Sequence, residues 1–342
     1  MDVDPPYFVW EFYWLHLIFC DGEENIIIAA EHNQPLLHVQ GLTKIFGAAK
    51  AVDDISFTIG EGRCVALLGP NGAGKTTTIR MLTGLLAADS GQMHVQSLAP
   101  GADRRQIIGY LPQTPVFYGW MTGREYLIHA SRLCGLSRKE AASRSTEWLE
   151  RVGIIEAANR RVAGYSGGMK QRLGLAQALI HRPRLLILDE PVSALDPIGR
   201  REVMGLLRDL KRETTVLFST HVLHDAEELC DDVLIMREGR IAIGGSILDI
   251  RNEHRKSVLF LDTEGDRKSR EWLNQWLQQP LQGIQSYERL PSGSGVKLIV
   301  DEINIARQTV LEQLLASNVQ LTRLEVGYTT LEDLFMEAVS GS

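Results

Sequence analysis

Long apolar runs are missing from this chain of 342 residues. No stretch approaches the about 18 apolar residues that a membrane-spanning helix needs. The nearest, YFVWEFYWLHLIF at residues 7–19, is short and interrupted by Glu11 and His16. Asp2 and Asp4 precede it, so it also lacks the basic leader of a signal peptide. Its Trp and Tyr content would suit a segment lying in a membrane interface. We read it instead as part of a loosely ordered extension over residues 1–34, because the first clear strand begins near Leu37. Cysteine is sparse: Cys20, Cys64, Cys134 and Cys230 are scattered with no C-x-x-C pair, and they read as reduced, mostly buried thiols of a cytosolic protein. A basic footprint is absent as well. The net charge of −7 gives no bulk attraction to nucleic acid, so no such partner is expected. Neither a solenoid-type repeat nor a low-complexity tract is visible.

What is present is an ordinary globular composition, 44% hydrophobic and 23% charged, in a length that suggests about two domains. From residue 37 to about 245, short apolar runs (65–68, 185–188, 216–218) each precede a polar or glycine-rich loop and then a helical stretch. That alternation predicts a mainly parallel sheet with helices on its faces and ligands at the strands' C-terminal ends. Residues 115–164 break the pattern. Rich in Arg, Glu, Ser and Ala, with Tyr126, Leu127, Ala130 and Leu133 at helical spacing, they read as a helical insertion. Beyond Ile250 the order strand, helix, two strands around PSGSG, helix, strand resembles a small ferredoxin-like α+β domain, closed by an amphipathic helix with Leu331, Leu334, Phe335 and Ala338 on one face. The expected organisation is an extension at 1–34, an α/β unit at 35–250 and an accessory α+β domain at 251–342.

The stretch GPNGAGKTT (Gly69, Pro70, Asn71, Gly72, Ala73, Gly74, Lys75, Thr76, Thr77) fits G-x-x-x-x-G-K-[ST] between a buried strand and a helix, the context a phosphate-binding loop requires. Its glycines let backbone N–H groups wrap phosphates, Lys75 reaches the β/γ oxygens, and Thr76 ligates Mg²⁺. LLILDEP is an apolar strand ending in two carboxylates, a costly placement unless something compensates. Mg²⁺, reached through water, would compensate Asp189; Glu190 is then placed to orient or deprotonate an attacking water. Gln113 follows a strand at 107–111 and could reach Mg²⁺ or that water. His221 ends the run TVLFST, where it could contact a γ-phosphate. His221 and His224, at i and i+3, have no further nearby ligand to complete a zinc site. A second anion seat is built from Ser166, Gly167 and Gly168, which open a helix whose bare N–H groups point at a ligand.

Together, GPNGAGKTT, Gln113, YSGGMKQR, LLILDEP, SALD and STH, in this order and spacing, resemble the nucleotide-binding subunit of ATP-binding-cassette (ABC) transporters over residues 37–245. The resemblance implies a P-loop ATPase cassette, hydrolysing ATP with Mg²⁺, peripheral on the cytoplasmic face of the cell membrane. It implies a homodimer, or pairing with a homologous ATPase, and a separate transmembrane permease docked near the helical insertion. Phe46 matches the position of the aromatic that stacks on adenine, more often Tyr. Asp196 matches the loop that crosses the dimer interface. In this family two subunits pair head to tail, so the Ser166 seat would cap ATP held by the partner's loop. Tyr165 and Met169 stand where the commonest version has Leu and Gln; the phosphate-contacting residues are intact. The ending GYTTLEDLFMEAVSG resembles that of bacterial exporter ATPases. An importer ATPase, or a soluble ABC ATPase without a transport role, is the alternative, although the second usually carries two cassettes or a long coiled-coil insertion.

Overall fold

The structure, a computed structural model, describes residues 35–340 apart from 97, 99–101, 194, 280, 281 and 318; the expected N-terminal extension lies outside these residues. The chain opens with two long strands, β1 (Pro35–Phe46) and β2 (Ala49–Gly60), which pair antiparallel through the turn at Gly47. Sequence alternation predicts a mainly parallel sheet from residue 37 onward, and here the structure differs. The connection of Gly47 and Ala48 is far too short for the crossover that a parallel pair needs. Next come β3 (Cys64–Leu68), α1 (Lys75–Leu82) and β4 (Ser90–Val95), which returns to the free side of β1 and completes a three-stranded antiparallel sheet.

The remaining cassette elements are β5 (Ile108–Leu111), α2 (Gly123–Leu133), α3 (Arg138–Arg151), α4 (Gly167–Leu179), β6 (Leu185–Asp189), α5 (Pro197–Leu210), β7 (Thr215–Thr220), α6 (Leu223–Leu229), β8 (Asp232–Arg237), β9 (Arg240–Ser246) and α7 (Ile247–Glu253). Six strands form one sheet in the order β5-β6-β7-β3-β8-β9, parallel except for β9. Strands β3, β6 and β7 are buried along their whole length because both faces are covered. Leu186, Leu188, Val216 and Phe218 face a core made with the helices, whereas Leu185, Ile187, Leu217 and Val65 face a second core with β1, β2 and α1. The insertion holds α2 and α3, each opened by a capping box, from Thr122 with Glu125 and from Ser137 with Glu140.

The C-terminal part runs β10 (Ser257–Thr263), α8 (Arg267–Trp276), β11 (Ile284–Arg289), β12 (Gly295–Val300), α9 (Ile303–Ser317), β13 (Leu321–Tyr328) and α10 (Leu331–Ser340). Its sheet, in the order β11-β12-β10-β13, is antiparallel throughout, the ferredoxin-like arrangement expected from the order of elements. Leu259, Leu261, Leu298, Leu273, Trp276, Ala306 and Val310 form its own core. Helix α10 goes elsewhere. Leu331 and Leu334 are buried in the helix-side core of the cassette, with Phe335 and Ala338 packed at its margin, and α10 lies against β8. We therefore propose a boundary near residue 250 with α10 belonging, by packing, to the cassette.

Burial of this kind has a measurable consequence. Leu331 is 0% exposed, and truncating a buried leucine costs about 2–5 kcal/mol. Leu331→Ala should lower the unfolding free energy of the cassette by that amount, read by urea denaturation of the full chain. A loss confined to the C-terminal sheet, with the cassette transition unmoved, would show that α10 is not part of that core.

Candidate functional site

The site gathers at the C-terminal ends of β3, β6 and β7, which run parallel side by side. Between β3 and α1 the chain cannot stay regular: Gly72 and Gly74 have φ of 84° and 104°, a region L side chains avoid. A Cβ on Gly74 would also lie 2.5 Å from the Ala51 carbonyl oxygen, whereas one on Gly72 would meet nothing within 4 Å. The loop is thus pressed against β2 on one side and open on the other. Lys75, the first residue of α1, is buried, and its Nζ donates to the carbonyls of Gly69 (2.6 Å) and Pro70 (3.1 Å). Burial draws its ammonium below the ordinary lysine value, while the charges of Glu190 and Asp189 pull in the opposite direction.

Opposite the loop, β6 delivers its two carboxylates. Asp189 Oδ1 accepts from the Thr76 hydroxyl at 3.2 Å and from the Ser219 hydroxyl at 2.7 Å. Ser219 Oγ in turn accepts the Glu190 backbone N–H at 3.0 Å. Glu190 has φ of 49°, left-handed for a residue with a side chain, a strain of about 1–3 kcal/mol that such surroundings must hold in place. Its Oε1 lies 3.9 Å from Lys75 Nζ, and both carboxylate oxygens lie within 3.1 Å of His221 Nδ1. An ionised carboxylate can only accept, so this contact puts the ring proton on Nδ1. His224 has different company: its Nε2 lies 3.9 Å from Glu228 Oε2.

The structure therefore brings Lys75, Thr76, Asp189, Glu190 and His221 together. It leaves the other predicted residues apart from that cluster. Gln113, just past β5, is exposed, with no hydrogen-bond partner among the described residues. Phe46 ends β1 with 52% of its surface exposed, and the Lys44 ammonium sits 5.5 Å from its ring centroid. Asp196 caps α5 by accepting the Gly199 N–H at 2.9 Å. Ser166 caps α4 by accepting from the Met169 N–H at 3.2 Å, and it and Gly167 are exposed. Tyr165 is buried, its hydroxyl donating to the Ala157 carbonyl at 2.7 Å, so the aromatic ties this seat to the helical insertion.

Three contributors were not singled out from sequence. Ser219 links the backbone of one carboxylate residue to the side chain of the other. Tyr110 on β5 has its phenol pushed above the ordinary value by burial and, next, by the charge of Asp189. Gln171 on α4 donates to the Pro191 carbonyl at 3.0 Å, joining the Ser166 helix to the residue after Glu190. Ser219 stood inside the STH motif and Gln171 inside YSGGMKQR, so both were legible as polar residues of a motif; Tyr110 left no signal beyond ordinary polarity. The open glycine loop, the buried ammonium and the paired Thr76 and Asp189 oxygens fit a phosphate chain and a hard cation such as Mg²⁺.

Comparison with known proteins agrees with this geometry. Residues 52–193 match the family described as ABC transporter, and residues 245–339 match that described as ATP-binding protein DrrA1-3-like, C-terminal domain. The chain is 45% identical over 304 residues to the uncharacterized ABC transporter ATP-binding protein YxlF of Bacillus subtilis (strain 168), spanning 89% of this chain and 99% of that one. It is 34% identical to the bacitracin transport ATP-binding protein BcrA of Bacillus licheniformis, over 90% of this chain and 98% of BcrA. A solved ATP-binding subunit of an ABC transporter superposes with a TM-score of 0.59 at 33% identity, covering 64% of this chain and 92% of that chain. Phosphate loop, paired carboxylates and relatives of nearly full length converge on one assignment: the chain belongs to the ABC transporter ATP-binding proteins and is an ATPase.

Proposed function

We propose that this ATPase subunit binds ATP with Mg²⁺, dimerises head to tail on it with a second copy or a homologous ATPase, and powers a separate transmembrane permease from the cytoplasmic face of the membrane, in the direction of export. The observation that carries this is the convergence of Lys75, Asp189 and Glu190 on one loop while the Ser166 seat stays exposed. Among the described residues no helix is long and apolar enough to cross a membrane, and we assign the path across it to the permease. Export is favoured by the tail sequence and by BcrA, a relative named for bacitracin transport.

In this mechanism Lys75 exchanges the Gly69 and Pro70 carbonyls for the β/γ-phosphate oxygens, a stronger charge-assisted partner. Thr76 and Asp189 would hold Mg²⁺, with Gln113 reaching it from its loop. Bound there, Mg²⁺ would neutralise phosphate charge and polarise the bond to be broken. Glu190 takes the proton of the attacking water, and His221, bridged to both its oxygens, fixes its aim; as an imidazolium, with a second proton on Nε2, it would also donate to the γ-phosphate. Phe46 would stack on the adenine. Ser166, Gly167 and Gly168 would close over ATP bound to the partner, and Asp196 would lie at the dimer interface.

Glu190→Gln keeps shape and hydrogen bonding but loses the base. It should retain ATP affinity, lower turnover by about 100-fold or more, and trap an ATP-bound dimer on size-exclusion chromatography. A variant that hydrolyses at the native rate would remove Glu190 from the base role.

Ser219→Ala should lower kcat by about tenfold with little change in KM, because it frees Asp189 and the strained Glu190 backbone without touching the loop. Unchanged kcat in steady-state assays would reduce Ser219 to a packing residue.

The shared site is tested by mixing. Lys75→Ala and Ser166→Arg chains are each defective alone, but their heterodimer holds one complete site. Single-turnover ATP cleavage should return on mixing. Verified heterodimers with no cleavage above either parent would count against a seat that serves the partner.

A further inference from the structure

We propose that β13 is a homotypic docking edge: the same strand of a second copy pairs with it antiparallel about a two-fold axis through Leu324, joining the two four-stranded sheets into one. This contact is separate from the ATP-driven pairing of the cassettes and needs no nucleotide. Strand β13 is the last of its sheet, and all of its eight residues are exposed except Leu324 and Gly327, which are half-buried. Free edges are usually blunted by Pro, Lys or bulges. Residues 323–328 contain neither Pro nor Lys and hold an unbroken ladder with β10, whose register shifts only beyond Arg323, at Thr322. The opposite edge, β11, is interrupted by a register shift between Ile284 and Ser286.

The hydrogen-bond phase shows which backbone groups are on offer. Thr329 N–H donates to the Lys256 carbonyl at 3.0 Å. Residues opposite in antiparallel strands alternate between bonded and non-bonded pairs. In the register of β10 with β13, Gly327, Glu325 and Arg323 therefore bond inward, and the N–H and C=O groups of Leu324, Val326 and Tyr328 point away from the sheet. Those are the groups an added strand needs. Centred on Leu324, the segment Arg323-Leu324-Glu325 is complementary to itself. Leu324 meets its own copy, and Arg323 faces Glu325 twice. About two backbone hydrogen bonds close at the axis.

Side chains support the same partner. Arg323 and Glu325 share one face, already paired within the chain at 2.6 Å, so two copies would build a four-charge cluster with signs matched across the axis. The other face, which α8 and α9 cover, presents Val326 and Tyr328, exposed by 48% and 49%. Leu311 and Leu315, one turn apart on α9, are exposed too. A copy related by two-fold symmetry offers the same apolar rim in return, an isologous contact.

The test uses the full-length chain without nucleotide, where cassette pairing on ATP does not contribute. In a Cys20→Ser/Cys134→Ser background, Leu324→Cys should form a disulfide-linked dimer under mild oxidation, because bonded antiparallel pairs hold Cα atoms about 5.5 Å apart, within disulfide reach. Ser286→Cys on β11 should not. Charge reversal guards against a misfolded cysteine variant. By sedimentation equilibrium, Arg323→Glu and Glu325→Arg should each weaken the dimer by about tenfold, and the double reversal should restore it. A chain that is monomeric without nucleotide, a Ser286→Cys variant that links as readily, or a double reversal no better than the singles overturns the proposal. None of these outcomes touches ATP-dependent pairing, which the Glu190→Gln variant reads separately.

Discussion

Everything at the catalytic end of this molecule follows from carrying two carboxylates to the tip of a strand with no water on either face. Strand β6 is apolar and wholly buried up to Asp189, and Glu190 is buried as well. Charges so placed are costly unless met by partners. The chain meets them with the Lys75 ammonium, the hydroxyls of Thr76 and Ser219, and the imidazole of His221. Lys75 and Thr76 come from the start of α1 behind β3, and Ser219 and His221 from the end of β7, so the site exists only when β3, β6 and β7 are in register. The same arrangement keeps these groups poised. The hydrogen bonds of Lys75 go to neutral loop carbonyls, which a phosphate outcompetes, and Glu190 sits in a backbone conformation it would not adopt alone.

Much of this was legible because the chemistry is local. The glycine loop, Lys75, Thr76 and the two acids stand in contiguous motifs, and Ser166 reads as a helix cap from three residues and a following apolar period. Ferredoxin-like topology could be read from the order of elements, since turn residues and alternation mark each strand. What could not be read is what depends on partners distant in sequence. The antiparallel hairpin at the start looks like any pair of strands until its two-residue turn is counted. The face of the closing helix was plain from Leu331, Leu334, Phe335 and Ala338, but periodicity says which face is apolar and not what covers it. Tyr110 and Gln171 are single polar residues whose value comes only from where the fold brings Asp189 and Pro191.

The two phosphate seats differ in a way that geometry makes plain. The loop before α1 is enclosed by β2 and by the acids of β6, whereas the seat before α4 faces outward from Tyr165 and Gln171 anchors. The loop meets Asp189 and Glu190 through Thr76 and Lys75, and the α4 seat is tied to the next residue because Gln171 donates to the Pro191 carbonyl. The exposed seat and the general base thus share a mechanical link that runs through one proline carbonyl.

Helix α10 has a consequence for how the protein is made. Leu331 and Leu334 are synthesised after every other part of the cassette, and yet they fill its core. While the ribosome is still translating, the cassette carries an unfilled apolar groove beside β8, and it can close that groove only after the whole C-terminal sheet has emerged. A chain cut short by a premature stop would leave the same groove open for good, marking itself for chaperones and proteases.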